Sequence, residues 1–189
     1  MHFHVVAEHY KSPSPVELTV TEKKMSLSGE SYTVTDPEEK VVFKMDGNAL
    51  SLRDKCVLED HHGHAILVAR KKLRSMHERW EVCKGEHFDD DKLLFFVKKS
   101  SMVGFKTHLT VFLQGNENDE APDFEVKGNF MEREAQIFHK DQLIAEVKRK
   151  FTVGNVLLDK HTFNVVVCPN VDQAFVVALV IIMDRIQED

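Results

Sequence analysis

Three short basic runs are the parts of this chain best equipped for chemistry: Lys71, Lys72 and Arg74; Lys98 and Lys99; and Lys148, Arg149 and Lys150. Ammonium and guanidinium groups that converge on a shallow surface recognise phosphate, which demands both positive charge and hydrogen-bond donors. All three runs follow apolar, strand-like segments, from which side chains could reach a sheet's rim, and they stand as candidates for an anionic lipid headgroup. The plainer reading is that lysines at strand ends keep edges soluble and unpaired. Because the chain carries a formal charge of −6, a true binding patch has to stand out against an acidic background.

The remaining constellations point less clearly to a site. His61, His62 and His64 crowd one loop beside Glu59 and Asp60. Structural zinc sites draw instead on separated ligand pairs, so this stretch reads as a solvated turn. The run Asp89-Asp90-Asp91 lacks the spacing, glycine and terminal glutamate of a calcium loop. No metal and no cofactor are expected. No nucleophile elbow, phosphate-binding loop, dinucleotide fingerprint or zinc-protease helix is present. Cys83 and Cys168 alternate with apolar residues, which suits buried thiols better than nucleophiles. The expectation is a protein that is not an enzyme, with no catalytic residues.

The elements that must position these groups follow from hydropathy. From Ala174 to Met183 every residue is apolar, and a helix without a polar stripe has to be buried on all sides. The run is too short to span a bilayer, which takes about 20 apolar residues. Pro169 precedes it, Asn170 offers an N-cap, and Gln173 stands three residues on, the spacing of a capping box. These signals predict a central helix over about 171–187. Upstream, residues 1–15 read as an irregular arm broken by Pro13 and Pro15. From Val16 onward the period is two, in about a dozen short strands separated by turn signals, the pattern of a sandwich or barrel.

Closing an antiparallel sheet removes its edges, and a wholly apolar helix needs cover in every direction. A closed antiparallel barrel wrapped around the C-terminal helix meets both demands, as a single domain over 16–189. A sandwich with a helix capping one end is the alternative. A barrel whose lumen is filled by its own helix also has no interior left for a substrate.

Length and composition fit one soluble domain, at 189 residues, 42% hydrophobic and 30% charged. The acidic balance argues against nucleic acid as a partner. Three cysteines far apart, and a start (MHFHVVAEHYKSPSP) without a signal peptide's apolar run, give the expectation of a cytoplasmic protein with reduced thiols, and a monomer is expected. The plasma-membrane periphery and the nucleus are the other compartments considered.

Several stretches, taken jointly, carry a family resemblance. DKCVLED at Asp54–Asp60, SMHERW at Ser75–Trp80, KSSM at Lys99–Met102, FEVKGN at Phe124–Asn129 and PNVDQAFV at Pro169–Val176 resemble the signature segments of the plant LURP-one-related proteins. That family is similar to the tubby C-terminal domain and the phospholipid scramblases. The resemblance implies a twelve-stranded barrel around a central hydrophobic helix. It further implies phosphoinositide binding, membrane-tethered regulation of transcription and a role in plant defence. It supplies no catalytic or ligand residues to carry over. The functional expectation is therefore a non-enzymatic binding module for anionic phospholipid; the alternative is a protein-interaction scaffold using the outer barrel surface.

Overall fold

Alternation along each strand and the run of apolar residues at the C-terminus generate one closed structure. The computed structural model describes residues 5–25, 29–47, 55–72, 79–103, 106–116, 121–149 and 162–188. Among them are strands β1 (Val16–Met25), β2 (Gly29–Thr35), β3 (Val41–Gly47), β4 (Lys55–Asp60), β5 (Ala65–Lys72) and β6 (Arg79–Lys84). They continue as β7 (Leu93–Val103), β8 (Lys106–Leu113), β9 (Phe124–Asn129), β10 (Glu134–His139), β11 (Gln142–Arg149) and β12 (Thr162–Val167). Every strand pairs antiparallel with its sequence neighbours, and β12 returns to pair with β1, which closes a twelve-stranded barrel. The bulges that shift register between Val34 and Thr35, Leu58 and Glu59, Val82 and Cys83, and Ile137 and Phe138 add the local twist that closure requires.

Because successive side chains on a strand point to opposite faces, each strand sends alternate apolar residues inward. Val20, Val34, Met45, Leu58, Val82, Val97, Val111 and Val165 are all 0% exposed. They surround α1 (Gln173–Glu188). Ala174 through Met183 are each at most 1% exposed, so the ten apolar residues are sheathed on every side as their composition demands. Phe175 packs edge-on against Phe95, with centroids 5.1 Å apart, and tilts against Phe124 at 4.7 Å. The sandwich alternative is thereby replaced by the barrel.

The helix start differs from the sequence reading. Asn170 is not the cap: it adopts a left-handed conformation, with φ of 61°, and turns the chain from β12 back into the lumen. The cap is Asp172, whose Oδ1 accepts the Phe175 N–H at 3.1 Å. Its Oδ2 accepts three further N–H groups, from Val5 at 3.2 Å, Val6 at 2.7 Å and Ala7 at 3.0 Å. Gln173 is thus the first helical residue rather than part of a capping box. The arm is held again where the Asn170 N–H donates to the Ser12 carbonyl at 2.7 Å, and Tyr10 packs edge-on against Phe43.

At its far end the helix is tied to the wall by side chains. Asp184 is 2% exposed and accepts from the Tyr32 hydroxyl at 3.1 Å and from Arg133 Nε at 3.0 Å. Arg133 reaches on to Glu22 of β1 at 3.0 Å. This arginine also takes a left-handed backbone, with φ of 55°, between β9 and β10.

Candidate anion-binding surface

The same alternation that builds the core divides the basic runs. Lys71 lies opposite Trp80, and Lys99 opposite Leu109; both partners face the lumen, so these two lysines belong to the inward-directed register. Lys72 and Lys98 belong to the outward one. They fall in a single lateral row, Lys72 on β5, Arg79 on β6, Lys98 on β7. Neighbouring strands stand about 4.8 Å apart, so three cations from sequence positions far apart meet on one outer wall. Lys148 is on β11, away from that row, and pairs with Glu146 at 3.0 Å. Arg149 is placed at the end of β11 opposite Phe163, while Arg74 and Lys150 lie outside the described residues, as do His77 and Glu78.

One carboxylate organises the wall. Glu81, 3% exposed although it stands on the outward face of β6, accepts from Arg70 at 3.3 Å, Lys72 at 3.1 Å and Arg79 at 3.1 Å. A single negative charge held among three cations leaves the group positive and fixes where the cations sit. The Arg79 guanidinium lies over the Phe96 ring at 3.8 Å, and Lys98 stands 5.3 Å from both Phe96 and Phe112. Those two rings stack at 5.2 Å, and each is nearly buried on an outer face because the cations cover it. Arg70 in turn covers Phe88 at 3.2 Å. The wall is therefore an apolar platform roofed by positive charge.

Arg79 and Glu81 escaped the search for basic runs because neither has a basic neighbour in sequence, and Arg70 was left out of the run although it directly precedes Lys71. The alternation of Arg79 with Glu81 across a buried tryptophan was the available signal that an outward charge pair sits on this strand.

The histidine loop is an Asp60 turn. Asp60 Oδ1 accepts the N–H groups of His62 at 2.8 Å and His64 at 2.9 Å, and Oδ2 stands 3.2 Å from His64 Nδ1. These bonds, the His64 N–H foremost, hold its carboxyl below the usual range. Asp89 caps a single helical turn by accepting from the Asp91 N–H. Among the described residues no histidine, cysteine or carboxylate group forms a metal-holding cluster. Cys83 is buried, and burial pushes its thiol up; Cys168 lies just past β12 rather than within a strand, is half-buried, and is pushed up by the same cause. No helix among the described residues is long and apolar enough to cross a membrane.

Comparison with known proteins places this architecture. A family model described as LURP-one-related matches residues 16–184. Protein LURP-one-related 15 of Arabidopsis thaliana is 39% identical over 187 residues, which cover 98% of this chain and 86% of that protein. Protein LURP1 of the same plant is 33% identical over 186 residues, covering 97% and 90% respectively. The crystal structure of an Arabidopsis thaliana protein superposes with a TM-score of 0.75 at 30% identity, covering 97% of this chain and 98% of that one.

Proposed function

The chain belongs to the LURP-one-related family, and from that premise we propose a non-enzymatic module that docks on anionic phospholipid through the outer wall of β5 to β7. The observation that carries this reading is the lateral row of Lys72, Arg79 and Lys98 on a chain of net charge −6. With Arg70 the wall presents four cations against the one carboxylate of Glu81. The Phe96 and Phe112 rings beneath lie 16° from parallel on the open exterior, which suits a lipid surface better than a single enclosed ligand. The barrel interior is filled by α1, so binding belongs to the exterior. A place in plant defence, with the protein meeting the membrane from the cytoplasm, is the setting we assign to that docking.

Vesicle sedimentation tests it. Each basic residue near an anionic surface contributes roughly 1 kcal/mol, so replacing Lys72 and Lys98 by alanine lowers partitioning about thirty-fold. Binding to vesicles containing phosphoinositide should weaken with added salt and be absent from neutral vesicles. Equal, salt-insensitive association with both kinds of vesicle would contradict the proposal.

A further inference from the structure

A second feature of the exterior calls for different chemistry. A barrel wall is convex outward, yet between β8 and β11 there is a groove of about 530 Å³. Gly128 is among its lining residues. It lies opposite Ala135 on β10, and a Cβ at this position would collide with the Glu134 carbonyl oxygen and stand 2.6 Å from the Ala135 Cα. The two backbones approach so closely here that no side chain fits.

Its polar lining is mixed. Lys106, Lys127 and Lys148 bring three ammonium groups, while Glu134 and Glu146 bring carboxylates and Gln136 an amide. Lys127, Gln136 and Glu146 form one lateral row across β9, β10 and β11. Lys148 pairs with Glu146 at 3.0 Å and Lys127 with Glu125 at 2.8 Å. Such exposed pairs are weak and easily exchanged for a ligand. Lys106 makes no ion pair among the described residues. A simple polyanion would gain from the lysines and be repelled by the glutamates. A molecule with a phosphate at one end and hydroxyls along its body uses both, because phosphate oxygens accept from ammonium groups and hydroxyls donate to carboxylates. The volume also lies within the range of small-molecule sites.

We propose that this groove binds a phosphorylated polyol such as a sugar phosphate, either free or as a lipid headgroup. The proposal is independent of the cationic wall on β5 to β7, whose lysines do not line the groove.

The experiment titrates the full chain with glucose 6-phosphate, glucose and inorganic phosphate by calorimetry. The sugar phosphate should bind at least about tenfold more tightly than either half, and Lys127→Met with Lys148→Met should abolish that advantage. Glu146→Gln should weaken glucose 6-phosphate while leaving inorganic phosphate no weaker, a pattern that loss of folding cannot produce. Lys72→Ala with Lys98→Ala should leave the titration unchanged. In a parallel arm, vesicles bearing a phosphoinositide are tested with the same groove variants. Loss there together with silence toward glucose 6-phosphate assigns the lipid-borne source, and saturation by the soluble sugar assigns the free one. Binding of inorganic phosphate equal to that of glucose 6-phosphate, with no binding of either polyol source that depends on the groove lysines, would overturn the proposal.

Discussion

The two ends of α1 are both anchored by a buried aspartate, but with opposite chemistry. Asp172 is satisfied by neutral backbone N–H groups, one from the helix's own first turn and three from the N-terminal arm. Asp184 is satisfied by side chains of the wall, a phenol and a guanidinium shared with Glu22. Only one of the two charges respects the helix dipole. Asp172 stands at the positive end and gains from it, whereas Asp184 stands near the negative end and needs Arg133 and the nearby Arg185 to offset it. At the N-terminal end, backbone from outside the barrel is recruited to the helix; at the other, β1, β2 and the connection between β9 and β10 are cross-linked through it.

The contrast is sharpened most by removing Arg133. Its replacement by methionine withdraws the cation standing between two buried carboxylates, and such losses cost about 3–5 kcal/mol. Urea unfolding should show the midpoint falling with the m-value unchanged.

Asp172→Ala removes the cap, worth about 1 kcal/mol, and strips acceptors from three arm amides, for a total of roughly 2–4 kcal/mol. Its distinguishing sign is local: amide exchange at Val5, Val6 and Ala7 should lose protection, while Arg133→Met leaves those amides protected as long as the barrel stays folded.

Tyr32→Phe deletes one hydrogen bond to Asp184 and should cost about 1 kcal/mol at neutral pH. Its larger signature is alkaline. Burial first, then the charges of Asp184 and Glu22, push the Tyr32 hydroxyl far above its ordinary value of 10.0. Below that value the phenol is neutral in folded and unfolded chains alike, and its contribution is fully present. As pH rises beyond it, the unfolded chain ionises and the folded one resists, so stability falls by up to about 1.4 kcal/mol per pH unit. Unfolding midpoints measured from pH 8 to 11 should fall less steeply in Tyr32→Phe, since phenylalanine has no proton to lose.

The smallest effect is expected at Asn170. Its left-handed backbone is one glycine accepts freely, so Asn170→Gly should shift stability by less than about 0.5 kcal/mol. A larger loss would show that the asparagine side chain, rather than the turn, secures the helix start.

These elements also show what a sequence discloses. The plug was legible because ten consecutive apolar residues leave a helix no face for water, and the strands because Leu18, Val20 and their counterparts alternate. The cap was misread by two residues. Pro169 and Asn170 carry the composition of a helix start, yet the chain first has to reverse direction from β12, and Asn170 is used for that turn. The arm's three bonds to Asp172 could not be read at all, since they join positions more than 160 residues apart. The cationic wall was half-visible. Adjacent lysines in a strand point to opposite faces, so doublets such as Lys71-Lys72 and Lys98-Lys99 overstate local convergence. The row through Lys72, Arg79 and Lys98 depends on register, which no single segment records.

The central claim, that α1 is the core around which the barrel closes, is tested most directly by native-state hydrogen exchange of the Phe175–Met183 amides. They should exchange only through global unfolding, with opening free energies equal to the value from urea denaturation. Exchange at substantially lower free energy, while the strand amides of β1 and β12 remain protected, would contradict it.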